Sequence, residues 1–499
     1  MTTFSAVLTE VAARLPDKTA VVDERVRLTY RDLDRLATRT AAGLHAHGVR
    51  PGDVVSSVLP NRAEAVVLFY GTCRLGAVCN PIVPIYGARE LRFIFQEAPT
   101  AAVVVPARHR SVDFPALVDR LRPQLPALRA TFTLDDRFAL PWETAAAVAP
   151  TPAPDPGAVR VILYTSGTTA DPKGALHSDA TLLAECRSMV RYHGLGDDHV
   201  FVMPSPVGHI SGLLYGVMLP VVLGATSVLM ETWDPERFCA LVERERGTYS
   251  AGATPFLQGV LECPARARYD LGSLRIFPCG GADVPPDLIR RAIDELRVRS
   301  GRGYGSTEFP SITSSAGPGV PDAKRCETDG APIPPNQIEL RDGEIWARGP
   351  ELFLGYRAPA LDAEAFDAGG WFRTGDLGVL DADGYLTITG RVKDIIVRRG
   401  EKLSAKEIED LLFEHPQVRA VAVVPVPDPA VGERVCAVVV PVRPDDPPAL
   451  AELVRFLEGK ELSRRKLPER LVLVDVLPMT ASGKVLKHVL RARLAGGGR

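Results

Sequence analysis

Apolar positions along the first 150 residues alternate between two rhythms. Leu28 to Leu44 carries them three and four apart, the spacing of an amphipathic helix. A turn at Pro51-Gly52-Asp53 follows, then a short buried strand over Val54 to Leu59, a helix over Arg62 to Leu75 and a strand over Ala101 to Val105. Strands interleaved with helices at this spacing predict a parallel α/β layer. The Pro/Ala-rich stretch from Ala149 to Pro156 reads as a linker.

A second unit of the same kind follows. Its predicted strands are Val159 to Leu163, Val200 to Met203, Thr226 to Met230, Tyr249 to Ala253, Leu274 to Phe277, and one ending near Gly303. Its predicted helices lie around His209 to Leu219, Pro235 to Arg244 and Pro286 to Val298. From Ala331 to Ile388 short strands alternate with Gly and Pro turns, which predicts a small β-barrel or meander. After Gly390 a compact α+β pattern begins: helix Ala405 to His415, strands Val418 to Pro425 and Arg434 to Val442, helix Leu450 to Leu462 and strand Arg470 to Val474. The expected fold is therefore α/β, with a large N-terminal domain of two parallel α/β subdomains plus a small β-barrel subdomain, and a small mobile α+β C-terminal domain. The boundary is placed at Gly390, giving domains 1–390 and 391–499.

Composition narrows the function more by exclusion than by suggestion. The chain has 499 residues and a formal net charge of -2, which gives no surface suited to nucleic acid. The uncharged, mostly apolar run Val217 to Met230 is too short to span a bilayer and holds Pro220 and Gly224, so neither a membrane span nor an export signal is expected. The eight cysteines show no C-x-x-C spacing and the histidines no H-E-x-x-H, so reduced thiols, no zinc and a cytoplasmic location are expected. There are ten lysines against 49 arginines. A lysine inside a motif is thus more informative here than usual.

The stretch Tyr164 to Gly174 reads Tyr-Thr-Ser-Gly-Thr-Thr-Ala-Asp-Pro-Lys-Gly. Its glycines, Gly167 and Gly174, let backbone N–H groups turn to one side, Thr165, Ser166, Thr168 and Thr169 add hydroxyls, and Lys173 adds a charge. That set suits a polyphosphate. It is not a Walker A loop, since Pro172 stands where the second glycine should be. A solvated turn would have the same composition, so the rest of the chain must decide. The Cys279-Gly280-Gly281-Ala282 and Tyr304-Gly305-Ser306-Thr307-Glu308 turns also follow predicted strands, at the edge where open parallel sheets bind ligands. They offer a flat glycine floor, an aromatic ring suited to a purine, and a carboxylate for Mg²⁺. Asp376 lies in a glycine turn, Thr374-Gly375-Asp376, and is a candidate for ribose hydroxyls.

In order along the chain these stretches, with the His209 segment, Gly390-Arg391-Val392-Lys393-Asp394 and Pro478-Met479-Thr480-Ala481-Ser482-Gly483-Lys484, resemble the motifs of the adenylate-forming superfamily of acyl- and aryl-CoA synthetases. The segment Ser205 to Gly212 looks most like cyclohexanecarboxylate-CoA ligase-like members. The resemblance implies ATP, Mg²⁺ and coenzyme A as cofactors. It implies that Lys484 contacts both the acid and the α-phosphate, Thr307 the α-phosphate, Glu308 the metal, and the 164–174 loop the β- and γ-phosphates. Tyr304 with Gly280, Gly281 and Ala282 would hold adenine, Gly305 and Ser306 would belong to the same nucleotide site, and Asp376 with Arg391 would bind the ribose. Lys393 would be the hinge, Gly400 would line the thiol tunnel, and His209 would open or close the path between acid and thiol. The chain departs from the pattern at Arg399 and Lys402, where relatives often have Gly and Asn, and at Ala405, where they have Pro.

The function these readings point to is an ATP-dependent ligase that activates a small-molecule carboxylic acid as acyl-AMP and passes it to CoA or an external thiol acceptor. The alternative is a stand-alone adenylating enzyme serving a separate transferase or carrier protein; a remote one, from Gly301-x-Gly303-x-Gly305, is a dinucleotide-dependent oxidoreductase. No acidic residue near His209 would hold an α-ammonium, which favours a non-amino acid. Gly208, Gly212, Gly252, Ala253 and Gly281 suggest a roomy apolar slot for an alicyclic, polycyclic or fatty acid. Association as a homodimer is left open.

Overall fold

The computed structural model describes residues 2–142, 155–165, 172–399, 401–428, 431–479 and 485–495. Ser166, Gly167, Thr168, Thr169, Gly400 and Lys484, and residues 149–154 of the expected linker, lie outside the described residues. By contacts the chain divides into two compact units, one of residues 1–337 with 348–370 and one of 338–347 with 371–499. The short-stranded region around Trp346 and Asp376 thus clusters with the C-terminal residues.

In the larger unit one sheet has seven strands, in the order Gly355–Tyr356, Lys173–Ser178, Val159–Thr165, Val78–Ile82, Val54–Val58, Thr100–Pro106 and Ala130–Leu134. The last five run parallel, and the first two add an antiparallel edge. Thr100–Pro106 is buried along its whole length, as a strand covered on both faces must be, and this explains its unbroken run of small and branched apolar residues. The other sheet is also mainly parallel. It runs through Thr19–Val22, Thr226–Leu229 and Val200–Met203, crosses by single bridges at Tyr249, and continues into Ile276–Gly280 and Arg299–Tyr304. The strand expected over Tyr249 to Ala253 is present only as bridges at Tyr249 and Gly252.

The helix expected over His209 to Leu219 runs from Ile210 to Leu223 with a π-helical stretch at Leu214–Met218. Pro220 is the cause: it has no N–H to offer the carbonyl of Gly216 and its ring crowds that turn. The hydroxyl of Ser227 takes the Gly216 carbonyl at 2.6 Å, and Tyr70 donates to Val217 O at 3.1 Å. Ser227, from another element, thus supplies the donor that Pro220 lacks.

The smaller unit holds an antiparallel meander, Gln337–Arg341, Glu344–Arg348, Phe372–Leu380 and Leu386–Arg391, which is a meander and not a closed barrel. It also holds a five-stranded sheet centred on Gly432–Pro441. Alternate residues of the paired Val418–Asp428 and Gly432–Pro441 strands face opposite ways, and each face has its own core. Val423, Val435, Ala437 and Val439 pack with Ile408, Leu412, Leu453 and Leu457; Ala422, Val424, Cys436, Val438 and Val440 pack with Leu477 and Leu490. The second face explains the helix Lys487–Ala495, which the sequence pattern did not yield.

Candidate active site

Thr165 and Lys173 close the strands on either side of the hydroxyl-rich loop and stand opposite each other in register. Beyond them the strand Lys173–Ser178 has two neighbours, Val159–Thr165 on one side and Gly355–Tyr356 on the other. The Lys173 ammonium lies 5.3 Å from the centroid of the Tyr356 ring. Tyr164 donates its hydroxyl to Glu97 in a short hydrogen bond, and the Arg357 guanidinium donates to Glu97 O at 3.1 Å. Burial pushes the Glu97 carboxyl above its ordinary range.

The turn after Arg299–Tyr304 is fixed from several directions. Ser306 N donates to Phe309 O at 2.9 Å, and Phe309 N donates back to Ser306 Oγ at 3.2 Å. His177 Nε2 donates to the carbonyl of Thr307 at 2.8 Å, and Phe353 N to the carbonyl of Glu308 at 2.9 Å. The Tyr356 hydroxyl donates to Glu308 Oε1 at 2.7 Å. Burial pushes His177 down to about 4, so at neutral pH it is uncharged, protonated on Nε2, with Nδ1 3.1 Å from the Thr181 hydroxyl. Gly305 is required where it stands, because a Cβ there would lie 2.0 Å from the carbonyl oxygen of Pro310.

Gly280 sits beside Gly303 in the parallel pair, and a Cβ on it would meet Gly303 O at 2.3 Å. Gly281 follows with φ +79° and open space around it, and Ala282 is half-buried against the second sheet's core. Tyr304, at the end of the neighbouring strand, is buried. The two turns expected to frame a purine therefore lie side by side. Gly301 and Gly305 serve close packing at the end of a strand, with Ala316 N 2.7 Å from where a Gly301 Cβ would be and Pro310 O 2.0 Å from a Gly305 Cβ, while a Cβ on Gly303 would meet only Thr313 O, at 4.0 Å. No strand-to-helix turn follows them, so the dinucleotide reading is withdrawn.

The slot expected from small residues needs correcting. A Cβ on Gly208 would strike Val83 N at 2.5 Å, one on Gly212 Pro206 O at 2.0 Å, and one on Gly252 the Phe256 ring at 2.7 Å. These glycines admit protein, and only Gly281 faces open space. Behind Gly208 lies an apolar void lined by Val55, Leu68, Phe69 and Val217, with about 20 Å³ of free volume, room for about one water. His209 occupies the position just before the helix that starts at Ile210, with no capping hydrogen bond from its side chain; its Nε2 is buried without a partner among the described residues, and burial pushes the ring down to about 4.

In the smaller unit, Asp376 and Arg391 are register partners, and Arg391 Nε donates to Asp376 Oδ1 at 2.6 Å. Asp376 is buried, and its own N–H is held by the Thr374 hydroxyl at 3.1 Å. Lys393 stands in a short turn, Val392–Asp394, whose Lys393 carbonyl accepts from Arg491 at 3.2 Å. Arg399 has φ +49°, a left-handed conformation that a glycine would adopt without strain.

Among the described residues no three ligating side chains could hold a metal by themselves. A magnesium ion does not need them, since it keeps waters and takes substrate phosphates, and one carboxylate is the usual protein share. Glu308 fits, because Tyr356 occupies Oε1 only and no described residue donates to Oε2. Tyr356 and His177 were missed in the sequence. Their only signal was the short apolar run Leu352-Phe353-Leu354-Gly355-Tyr356 and the position of His177 four residues past Lys173.

Comparison with known proteins bears on this geometry. Residues 8–357 match the model of the AMP-binding enzyme family, and residues 407–484 match that of the AMP-binding enzyme C-terminal domain. The chain is 35% identical over 509 residues to the medium-chain fatty-acid–CoA ligase of Escherichia coli (strain K12), covering 97% of this chain and 88% of that protein. It is 34% identical to the 3-[(3aS,4S,7aS)-7a-methyl-1,5-dioxo-octahydro-1H-inden-4-yl]propanoyl:CoA ligase of Rhodococcus jostii (strain RHA1), covering 98% of each. The crystal structure of ATP-bound MatB from Rhodopseudomonas palustris superposes with a TM-score of 0.87 at 27% identity, covering 98% of this chain and 99% of that one.

Proposed function

This chain belongs to the AMP-binding enzyme family as an AMP-forming acid–CoA ligase, and from that premise we propose which acids it takes and how its residues act. The acid is a non-amino carboxylic acid of the fatty, alicyclic or polycyclic kind. Relatives named for a medium-chain fatty acid and for a fused-ring propanoate support this class. The acceptor is CoA, taken from the cytoplasm; the eight cysteines are all free thiols, which fits a reducing compartment.

In the first step a carboxylate oxygen of the acid attacks the α-phosphorus of ATP, the bond to the bridging oxygen breaks, and pyrophosphate leaves with that electron pair. Two anions must meet, so cations have to lie between them. Lys484 is assigned that role on both the acid and the α-phosphate, while Lys173 and the hydroxyls of Thr165, Ser166, Thr168 and Thr169 take the β- and γ-phosphates. Thr307 donates its hydroxyl to the α-phosphate, and Glu308 is the metal ligand. A magnesium ion held there would offset the charge on the departing pyrophosphate. Tyr304 with Gly280 to Ala282 holds the adenine, Gly305 and Ser306 belong to the same nucleotide site, and Asp376 with Arg391 binds the ribose.

In the second step the CoA sulfur attacks the acyl carbon. The bond from that carbon to the shared oxygen breaks, AMP leaves with the oxygen, and the thiol proton passes to solvent. His209, uncharged at neutral pH, stands as a gate on the acyl side, Lys393 as the hinge, and Gly400 on the thiol's path. The 391–499 segment acts as the lid that brings Lys484 in.

What carries this reading is one arrangement: the strand that follows the phosphate-type loop meets, through Lys173, Tyr356 and His177, the same turn that carries Thr307 and Glu308. Acid-dependent pyrophosphate exchange tests it. Lys484→Ala should lower exchange about 10²-fold or more, and full exchange in that variant would refute the assignment. Thioester formation on adding CoA, followed by mass, checks the acceptor; acyl-AMP that accumulates with CoA present would point to another acceptor.

A further inference from the structure

Tyr356 belongs to none of the motifs, yet two opposite charges meet on it. Its hydroxyl donates to Glu308 Oε1 at 2.7 Å, and the Lys173 ammonium lies 5.3 Å from its ring centroid. Among the described residues Lys173 and Glu308 form no ion pair with each other. The ring is held firmly. Tyr356 N donates to Asp362 Oδ1 at 2.8 Å, the residue pairs with Ala175 across the sheet edge, and Phe353 packs edge-on at 4.8 Å while itself stacking on Phe366 at 5.3 Å.

The chemistry asked of the two charges is different. Lys173 serves a triphosphate and Glu308 a divalent cation, and a direct salt bridge between them would cancel both. A phenol separates them without neutralising either: its ring face attracts the ammonium, and its hydroxyl orients the carboxylate while leaving the negative charge in place.

We propose that Tyr356 is a positioning residue that keeps Lys173 off Glu308 and aims the Glu308 carboxylate for the metal carried by the nucleotide. This rests on the adenylation reading above, and it adds a residue outside every motif on which that reading was built. Tyr356 does not touch the reacting atoms; it acts through Glu308.

The test is the dissociation constant of ATP measured by calorimetry with excess Mg²⁺ and again in EDTA, on the full chain. In Tyr356→Phe, which keeps the ring and loses the hydroxyl, the gain in affinity that Mg²⁺ confers should fall about tenfold, with binding in EDTA unchanged within twofold. In Tyr356→Leu, which frees Lys173 to reach Glu308, binding in EDTA should weaken as well. Tyr356→Phe with an unaltered Mg²⁺ effect, or with equal losses in Mg²⁺ and EDTA, overturns the proposal. Should Tyr356→Leu fail to fold, Tyr356→Phe carries the test alone. Wild-type protein that binds ATP but shows no acid-dependent exchange would refute the adenylation reading, and the calorimetric ratio would still decide the role of Tyr356.

Discussion

Glu308 and Asp376 are the two carboxylates that the sequence singles out, and they are held in opposite ways. Glu308 accepts from a neutral phenol at 2.7 Å, whereas Asp376 is buried against the Arg391 guanidinium at 2.6 Å. A phenol orients a carboxylate and leaves its charge for a cation; a guanidinium spends that charge and leaves lone pairs for hydroxyl donors. On the roles proposed for them, the partner, more than the carboxylate, separates a metal ligand from a sugar-binding group.

Four substitutions would break or sharpen that contrast. The largest effect is expected from Glu308→Gln, which keeps the shape and can still accept from Tyr356 but carries no charge. Pyrophosphate exchange should fall about 10²- to 10³-fold at saturating ATP. Asp376→Asn should act on binding instead. The KM for ATP should rise about tenfold or somewhat more, since a buried hydrogen bond between charged groups is worth about 1.5–3 kcal/mol, with kcat changed much less. If the two variants gave the same split between kcat and KM, the contrast would fail.

A neutral donor again holds the turn at Thr307, and here pH is the probe. His177 is pushed to about 4 from an ordinary 6.5, so between those values the unfolded chain binds the proton and the folded chain does not. Its contribution is intact above pH 6.5 and is lost as pH falls towards 4, by up to about 1.4 kcal/mol per pH unit. His177→Gln should flatten the acid limb of a denaturant-midpoint profile by that amount; an unchanged slope would place the acid sensitivity elsewhere.

The smallest effect belongs to a pair with no catalytic assignment. Glu185 and Glu351 lie beside each other wholly buried, and Asn336 Nδ2 donates to Glu351 Oε2 at 2.7 Å. Burial, then the neighbouring Glu351, push the Glu185 carboxyl well above its ordinary range, which favours its uncharged form. Glu185→Gln mimics that uncharged form and should alter stability by less than about 1 kcal/mol, whereas loss of several kcal/mol would mean that the charged form is the native one.

Most of the parallel layers were legible from apolar runs and their spacing, because buried parallel strands leave little choice of residue. Val78–Ile82 was not, since Pro81 argues against a central strand. The strand escapes that rule by pairing with Val159–Thr165 at Cys79 only. The turn carrying Thr307 and Glu308 was visible as a glycine- and hydroxyl-rich stretch, whereas Asp376, expected in a glycine turn, lies within the strand Phe372–Leu380, where Gly375 takes a left-handed φ of +74°. Their supports were not, because Tyr356 sits 48 residues from Glu308 on a strand two residues long, which has no periodicity to read. The glycines misled in the opposite direction. A small residue in a sequence looks the same whether it makes room for a ligand or for a neighbouring carbonyl, and at Gly208 and Gly212 it is backbone that fills the space.

The central claim is that the acid's own oxygen becomes part of AMP, and oxygen labelling tests that directly. The chain is supplied with a medium-chain or fused-ring acid carrying ¹⁸O in its carboxylate, together with ATP, Mg²⁺ and CoA, and the products are weighed by mass spectrometry. The account predicts one labelled oxygen in AMP and none in pyrophosphate. Label in orthophosphate, with ADP as the nucleotide product, would contradict it.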